Sequence, residues 1–290
     1  MTCYPYFATD REHGLGLFAS TYGAVYANAG STTMLAALIA IWHGALVFAA
    51  RSRAPAAIPH ALALAFAFAA TAIALGATAP WVTVGWAAEG AAVVWVGLAI
   101  RRTALRDGGA LLLALAAARL VLFHFDDTPW PFRLLLNGRM AVGAFIVALM
   151  YAVAALERRY LANAVGDGGR GLSWVVAANV LTVGLLTADI NSFWEVREET
   201  VAAEFARELT ISLTWAVYAM GLIALGFWRS SPTLRYLALG LFGLTVAKMF
   251  AVDLLELDGA YRIAGFVTLG LVLLIASFLY QRRLPKPTER

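Results

Sequence analysis

The chain has a single cysteine, Cys3, among its 290 residues. An intrachain disulfide is therefore excluded, and no Cys/His spacing suits a zinc site. Charge is also scarce: 14% of residues are Asp, Glu, Lys or Arg, against roughly 25% in soluble globular domains. That shortage excludes an ordinary soluble fold. The four histidines, His13, His43, His60 and His124, have no metal-ligand spacing, and neither G-x-S-x-G nor H-E-x-x-H occurs. The Gly-rich GDGGRG at 166–171 lacks the Lys and Ser/Thr of a phosphate-binding loop and reads as a linker. No catalytic constellation, metal site or cofactor motif is identified. His124 with Asp126 and Asp127 is the one acid/base cluster, and it reads as a solvated helix end.

What the chain does have is apolar sequence. Hydrophobic residues make up 61%, and the mean hydropathy is +0.74. A bilayer core requires about 20 apolar residues per helix. Nine such runs are present, near 32–50, 58–77, 80–100, 107–125, 138–157, 171–189, 209–228, 233–251 and 261–280. They are continuous rather than alternating, which favours helices over barrel strands. The expected fold is an all-α polytopic membrane protein of about nine transmembrane helices. The excess of basic residues, net +4 with a pI near 9.4, falls at helix ends rather than in one patch, so no nucleic-acid partner is expected. Arg51, Arg53, Arg101, Arg102, Arg158, Arg159, Arg229, Arg282 and Arg283 fall in links on one side, where acids are few. By the positive-inside rule this predicts N-out, C-in, with 281–290 as a cytoplasmic basic tail.

Residues 1–31 lack a basic n-region and an apolar h-region, so no cleavable signal peptide is expected. Thr9 and Glu12 have capping-box spacing, followed by apolar residues at helical intervals. An interfacial helix or an irregular arm on the outer face fits. A single transmembrane domain is expected over 32–280. Residues 190–208, NSFWEVREETVAAEFAREL, read as an outer amphipathic helix whose carboxylates lie largely opposite its apolar side. They form either a solvated face or a site for a cation or for other membrane or envelope proteins.

A shift of 129 residues aligns Trp86 with Trp215, Gly97 with Gly226, Leu105 and Arg106 with Leu234 and Arg235, and Arg119 with Lys248. A gap in the outer link then aligns Arg139 with Arg262. Helices 3–5 (about 80–159) and 7–9 (about 209–283) are thus expected to form a parallel internal repeat, unlike the inverted repeats of many transporters.

The run SLTWAVY from Ser212, the LR of Leu234 and Arg235, TVAKMFAVD at 245–253, LDGAYR at 257–262 and SFLYQRR at 277–283 together resemble a family signature. It is that of the bacterial predicted multi-pass membrane proteins catalogued as domain of unknown function 2339, in their C-terminal part. The match is strong over about 205–283, with looser echoes in WAAEG at 86–90 and around Gly97. The resemblance implies a multi-pass bacterial inner-membrane protein, and it carries no activity to transfer.

Ionisable residues inside a span cost about 2.5–3.5 kcal/mol at mid-bilayer on insertion scales, so they are the candidate site residues. Glu89 and Arg119 are expected within reach of each other, as a structural ion pair or as part of a site. At the matching positions of the second repeat stand Tyr218 and Lys248, with Asp253 the acid nearest Lys248 in sequence. Arg119, Arg139, Lys248 and Arg262 are expected to form two basic pairs facing the outer leaflet. They suit a phosphate or carboxylate head group, or else snorkel to lipid and to acids such as Asp126, Asp127 and Asp258. The resulting expectation is a non-enzymatic binder or carrier of an anionic, lipid-like molecule, or a membrane subunit of an envelope assembly, with membrane lipid as the first partner. Two alternatives stay open. One is an envelope enzyme using Asp126, Asp127, Asp189 or the acids from Glu195 to Glu199; the other is a proton-coupled transporter using Glu89.

Overall fold

The computed structural model describes residues 29–125, 132–161, 170–196 and 201–248, together with 267, 270, 271 and 274. The described residues form eight α-helices and no strand: α1 (Ala29–Arg53), α2 (Ile58–Gly76), α3 (Ala79–Ala99), α4 (Thr103–His124), α5 (Gly138–Leu161), α6 (Arg170–Glu195), α7 (Val201–Trp228) and α8 (Pro232–Lys248). A 3-10 turn at Pro55–Ala57 joins α1 to α2. Seven helices have the length and apolarity to cross a membrane. The eighth expected span corresponds to α8, 17 residues long as described. The ninth lies outside the described residues except for helical Val267, Gly270, Leu271 and Leu274. The expected arm at 1–28 lies outside them as well.

Helical structure follows from the solvent: hydrocarbon offers a backbone amide no partner, so each span must satisfy its own hydrogen bonds. Proline stands in the first turns of α2 and α3, where its missing N–H removes no helical bond. Large apolar side chains such as Leu38, Ile41, Trp42, Phe48 and Leu122 stay exposed on the helix surfaces, as a lipid-facing surface requires.

The described chain divides into two compact units within α4, Met1–Ala116 and Ala117–Arg290. In the first, α1 packs along α2, and α2 along α3. Where α3 crosses α4, Gly90 faces the Leu113 backbone and Gly109 faces the Val94 backbone; a Cβ on either glycine would fall 2.6 Å from a backbone nitrogen. Glycine on both sides sets the depth of this crossing. His43 bonds the Ile39 carbonyl of its own helix at 2.8 Å and stacks on Phe68 of α2.

In the second unit, α5 packs on α6, α6 on α7 and α7 on α8. The buried face of α5, Arg139, Gly143, Ile146, Met150, Val153, Ala154 and Glu157, repeats every three or four residues, as a single helical stripe must. Ala216, Ala219, Leu222, Ile223, Ala238 and Phe242 form a core between α7 and α8. Residues 190–195, expected in a separate amphipathic helix, are the last turns of α6, and the helical residues from Val201 open α7. Ile190 and Ser192 are buried here, so packing extends α6 past the apolar run.

Two turns share one geometry. After α3, Arg102 N–H donates to Gly97 O at 2.8 Å and Arg101 N–H to Leu98 O at 3.2 Å. After α7, Ser231 N–H donates to Gly226 O at 2.8 Å and Ser230 N–H to Phe227 O at 3.2 Å. Arg101 and Ser230 both have left-handed φ, 55° and 50°, the signature of a Schellman end. Gly97 then lies against Arg106, and Gly226 against Arg235.

Candidate functional site

The most completely bonded polar cluster lies at the end of the second unit where α5 begins and α6 finishes. Arg139 and Asp189 form an ion pair at 3.3 Å with side chains only 2% and 1% exposed. Arg139 also donates to Phe125 O at 3.1 Å, Ala188 O at 3.0 Å and Ser192 Oγ at 3.0 Å. The second Asp189 oxygen accepts the Leu135 N–H at 2.7 Å, and its Oδ1 also accepts Asn137 Nδ2. Asn137 in turn caps α5, its Oδ1 accepting Met140 N–H at 3.0 Å. Leu135 adopts a left-handed φ of 62°. The Asp189 carboxylate holds that unfavourable backbone in place while Leu134, Leu135 and Leu136 remain exposed.

A second cluster lies where α7 begins and α8 ends. Lys248 Nζ is 2.8 Å from Glu208 and 3.3 Å from Ser212 Oγ. Glu208 also meets Arg207 at 3.3 Å. This cluster is wetter: the Lys248 and Glu208 side chains are 16% and 26% exposed.

Between the two ends, Asn179 of α6 joins three helices. Its Nδ2 donates to Tyr151 Oη of α5 at 2.9 Å, and its Oδ1 accepts from Tyr218 Oη of α7 at 2.8 Å. Trp215 Nε1 of α7 donates to Thr187 Oγ1 of α6 at 2.9 Å. Asn179→Leu removes two interhelical bonds worth roughly 0.6 kcal/mol each. It is expected to lower stability by about 1 kcal/mol, measured as a lower melting temperature in detergent.

Asn179 and Tyr218 also border an apolar groove of about 510 Å³ between α6, α7 and α8. Its walls include Val176, Val180 and Val183 of α6, Leu222 of α7, and Leu237, Leu241 and Leu244 of α8. The volume falls in the range of small-molecule sites. Lys248 stands one helical turn beyond Leu244, on the same face of α8.

The described residues among those singled out in the sequence have the following surroundings. Arg139 is bonded through its two terminal nitrogens to Asp189, Ser192 and the carbonyls of Phe125 and Ala188, and Lys248 is bonded to Glu208. Tyr218 belongs to the Asn179 network. The Arg119 guanidinium in the second unit lies 5.1 Å from the Phe123 ring. Glu89 belongs to the first unit, and its two carboxylate oxygens are buried without a hydrogen-bond partner among the described residues. Arg262, Asp253, Asp126, Asp127 and Asp258 lie outside the described residues. Among the described residues, no group of three or more His, Cys, Asp or Glu is placed to hold a metal.

Sequence reasoning missed Asp189 as the partner of Arg139, Glu208 as the partner of Lys248, and Tyr151 altogether. The available signal for Asp189 was an acid in the last turns of an apolar helix. Tyr151 looks like any aromatic residue in a span.

Several long apolar helices, carrying polar side chains bonded to one another across helix packings, define a multi-pass helical membrane protein. A family model described as predicted membrane protein (DUF2339) matches residues 108–283, more than half the chain. The chain belongs to this family. No curated protein and no solved structure matches it.

Proposed function

We propose that the chain is a non-enzymatic binder or carrier of an anionic, lipid-like molecule in the bacterial inner membrane. The observation that carries this reading is the groove that runs along α8 toward Lys248: apolar along its length, cationic one turn past its end. An amphiphile would lay its chain against Leu237, Leu241 and Leu244 and bring its head group to Lys248, displacing Glu208. Lipid tails surround the protein everywhere, so an apolar groove alone gains little over bilayer. Selectivity has to come from the polar end. Of the four cations the sequence offers, we assign Arg139 to structure, because both of its terminal nitrogens are already bonded to Asp189 and its neighbours. Lys248 is the ligand-facing cation, with Arg119 and Arg262 as further candidates.

We place the Lys248 end at the outer face, on the distribution of Lys and Arg among the links. The parallel repeat is part of the same reading; the matched Schellman turns, their left-handed Arg101 and Ser230, and the paired glycine approaches support it. Asp189, buried and fully engaged, does not favour the enzyme alternative.

Native mass spectrometry of the purified chain tests the proposal. An anionic lipid is expected to co-purify. Lys248→Gln is expected to reduce it about tenfold, the equivalent of one charge-assisted hydrogen bond, and Leu241→Trp, which fills the groove, to remove it. An unchanged lipid content in both variants, or none in the wild type, sinks the reading.

A further inference from the structure

The first unit holds an acid with buried carboxylate oxygens that the lipid reading does not use. Glu89 lies in α3, one turn after Trp86, whose Nε1 donates to Ala70 O of α2 at 3.0 Å. In the second unit the same arrangement recurs: Trp215 donates back to Thr187 of the preceding helix, and one turn later Tyr218 donates to Asn179 of that helix. The polar residue after Trp215 is thus satisfied by its neighbour. The one after Trp86 is not. Residues 61–70 of α2, ALALAFAFAA, contain no polar side chain, and both Glu89 oxygens are buried without a hydrogen-bond partner among the described residues.

The charged groups on the helices packed against α3 are few. On α2 the only titratable residue is His60, ten residues before Ala70 and so about 15 Å along the axis. On α4 the backbone of Leu113 meets Gly90. Seven and six residues before Leu113 are Arg106 and Asp107, which pair with each other at 3.3 Å; six residues after it is Arg119. An ionised carboxylate with no donor in an apolar helix packing is costly, whereas the neutral acid is one hydroxyl and one carbonyl.

We propose that Glu89 is a proton-binding site, held as the neutral acid within α3 and exchanging its proton as the helix packing opens to water. This gives the first unit a role distinct from lipid binding in the second: coupling a conformational change, or the movement of another solute, to proton uptake.

The full-length chain in membranes is treated at about pH 7 with dicyclohexylcarbodiimide, an apolar reagent whose C=N bond adds the O–H of a protonated carboxyl. An ordinary glutamate, with a pKa of about 4.3, is under about 1% protonated there. Peptide mapping is expected to find the N-acylurea adduct on Glu89, at least about tenfold above any other carboxylate. The Glu89→Asp variant, which keeps a carboxyl group at this position, is expected to carry the adduct on the same peptide, and Glu89→Gln to lose it. An adduct that forms on Glu89 at about pH 4 but not at about pH 7 shows an ionised, ion-paired carboxylate and overturns the proposal. If the reagent fails to reach the site at either pH, infrared spectra decide: a protonated-carboxyl band at about pH 7 that disappears in Glu89→Gln supports the proposal, and its absence overturns it.

Discussion

Asp189→Ala is expected to destabilise the second unit by about 3–5 kcal/mol, the cost of leaving one partner of a buried ion pair uncompensated. The Arg139 guanidinium would keep its bonds to Phe125, Ala188 and Ser192 but lose the carboxylate paired with it. Leu135 N–H would lose its acceptor and Asn137 Nδ2 one of its two at the same time, releasing the left-handed turn ahead of α5. Asp189→Asn retains an acceptor and is expected to cost less. The double variant Arg139→Met with Asp189→Leu is expected to recover part of the loss, because no buried charge then remains unpaired. Thermal unfolding of the purified variants in detergent, with expression level as a second readout, measures all three. A loss below about 1 kcal/mol for Asp189→Ala would mean that water reaches the pair and that its burial contributes little.

The second large effect is expected at the α3–α4 crossing of the first unit. A Cβ on Gly109 would sit 2.6 Å from Val94 N and 2.7 Å from Gly90 O, both backbone atoms that no rotamer change can move. Gly109→Ala therefore has to push the helices apart, at a cost of about 1–3 kcal/mol for overpacking, and Gly109→Val more. Its neighbour supplies the control. A Cβ on Gly108 meets nothing within 4 Å, so Gly108→Ala is expected to be neutral or to stabilise α4 by up to about 1 kcal/mol, through helix propensity alone. Opposite signs at adjacent positions are the expected result in melting temperature. Equal shifts would show that the close crossing does not exist.

These two sites differ in how readable they were from the chain. Gly97 was legible in the sequence through its match to Gly226, and in the structure it meets Arg106 while Gly85 meets Ile73. The crossing at Gly90 and Gly109 was not singled out, because any of many glycines in apolar helices can serve that purpose. Arg139 was legible as a charge at a helix start, but its partner was not. Asp126 and Asp127 stand closer in sequence, whereas Asp189 lies 50 residues away and reaches Arg139 only through the packing of α5 on α6. Lys248 repeats the lesson: Asp253 is the nearer acid in sequence, and Glu208 is the one found at 2.8 Å.

The length of α6 was misjudged for a related reason. Apolar composition fades near residue 189, yet the helix continues to Glu195. Buried Ser192 accepts from Arg139 there, so a tertiary hydrogen bond supports a turn that hydropathy alone would end.

By itself, the sequence determined that this chain is a set of membrane-spanning helices. Its scarcity of charge leaves hydrocarbon as the solvent, and hydrocarbon requires each span to close its own backbone bonds. It also marked the turns, through glycine and basic residues recurring at one spacing. Only the tertiary structure decided which buried charges neutralise one another and, among the described residues, which buried polar atoms lack a hydrogen-bond partner. Coulombic and hydrogen-bonding energies depend on distance in space, and helix packing sets that distance independently of distance along the chain.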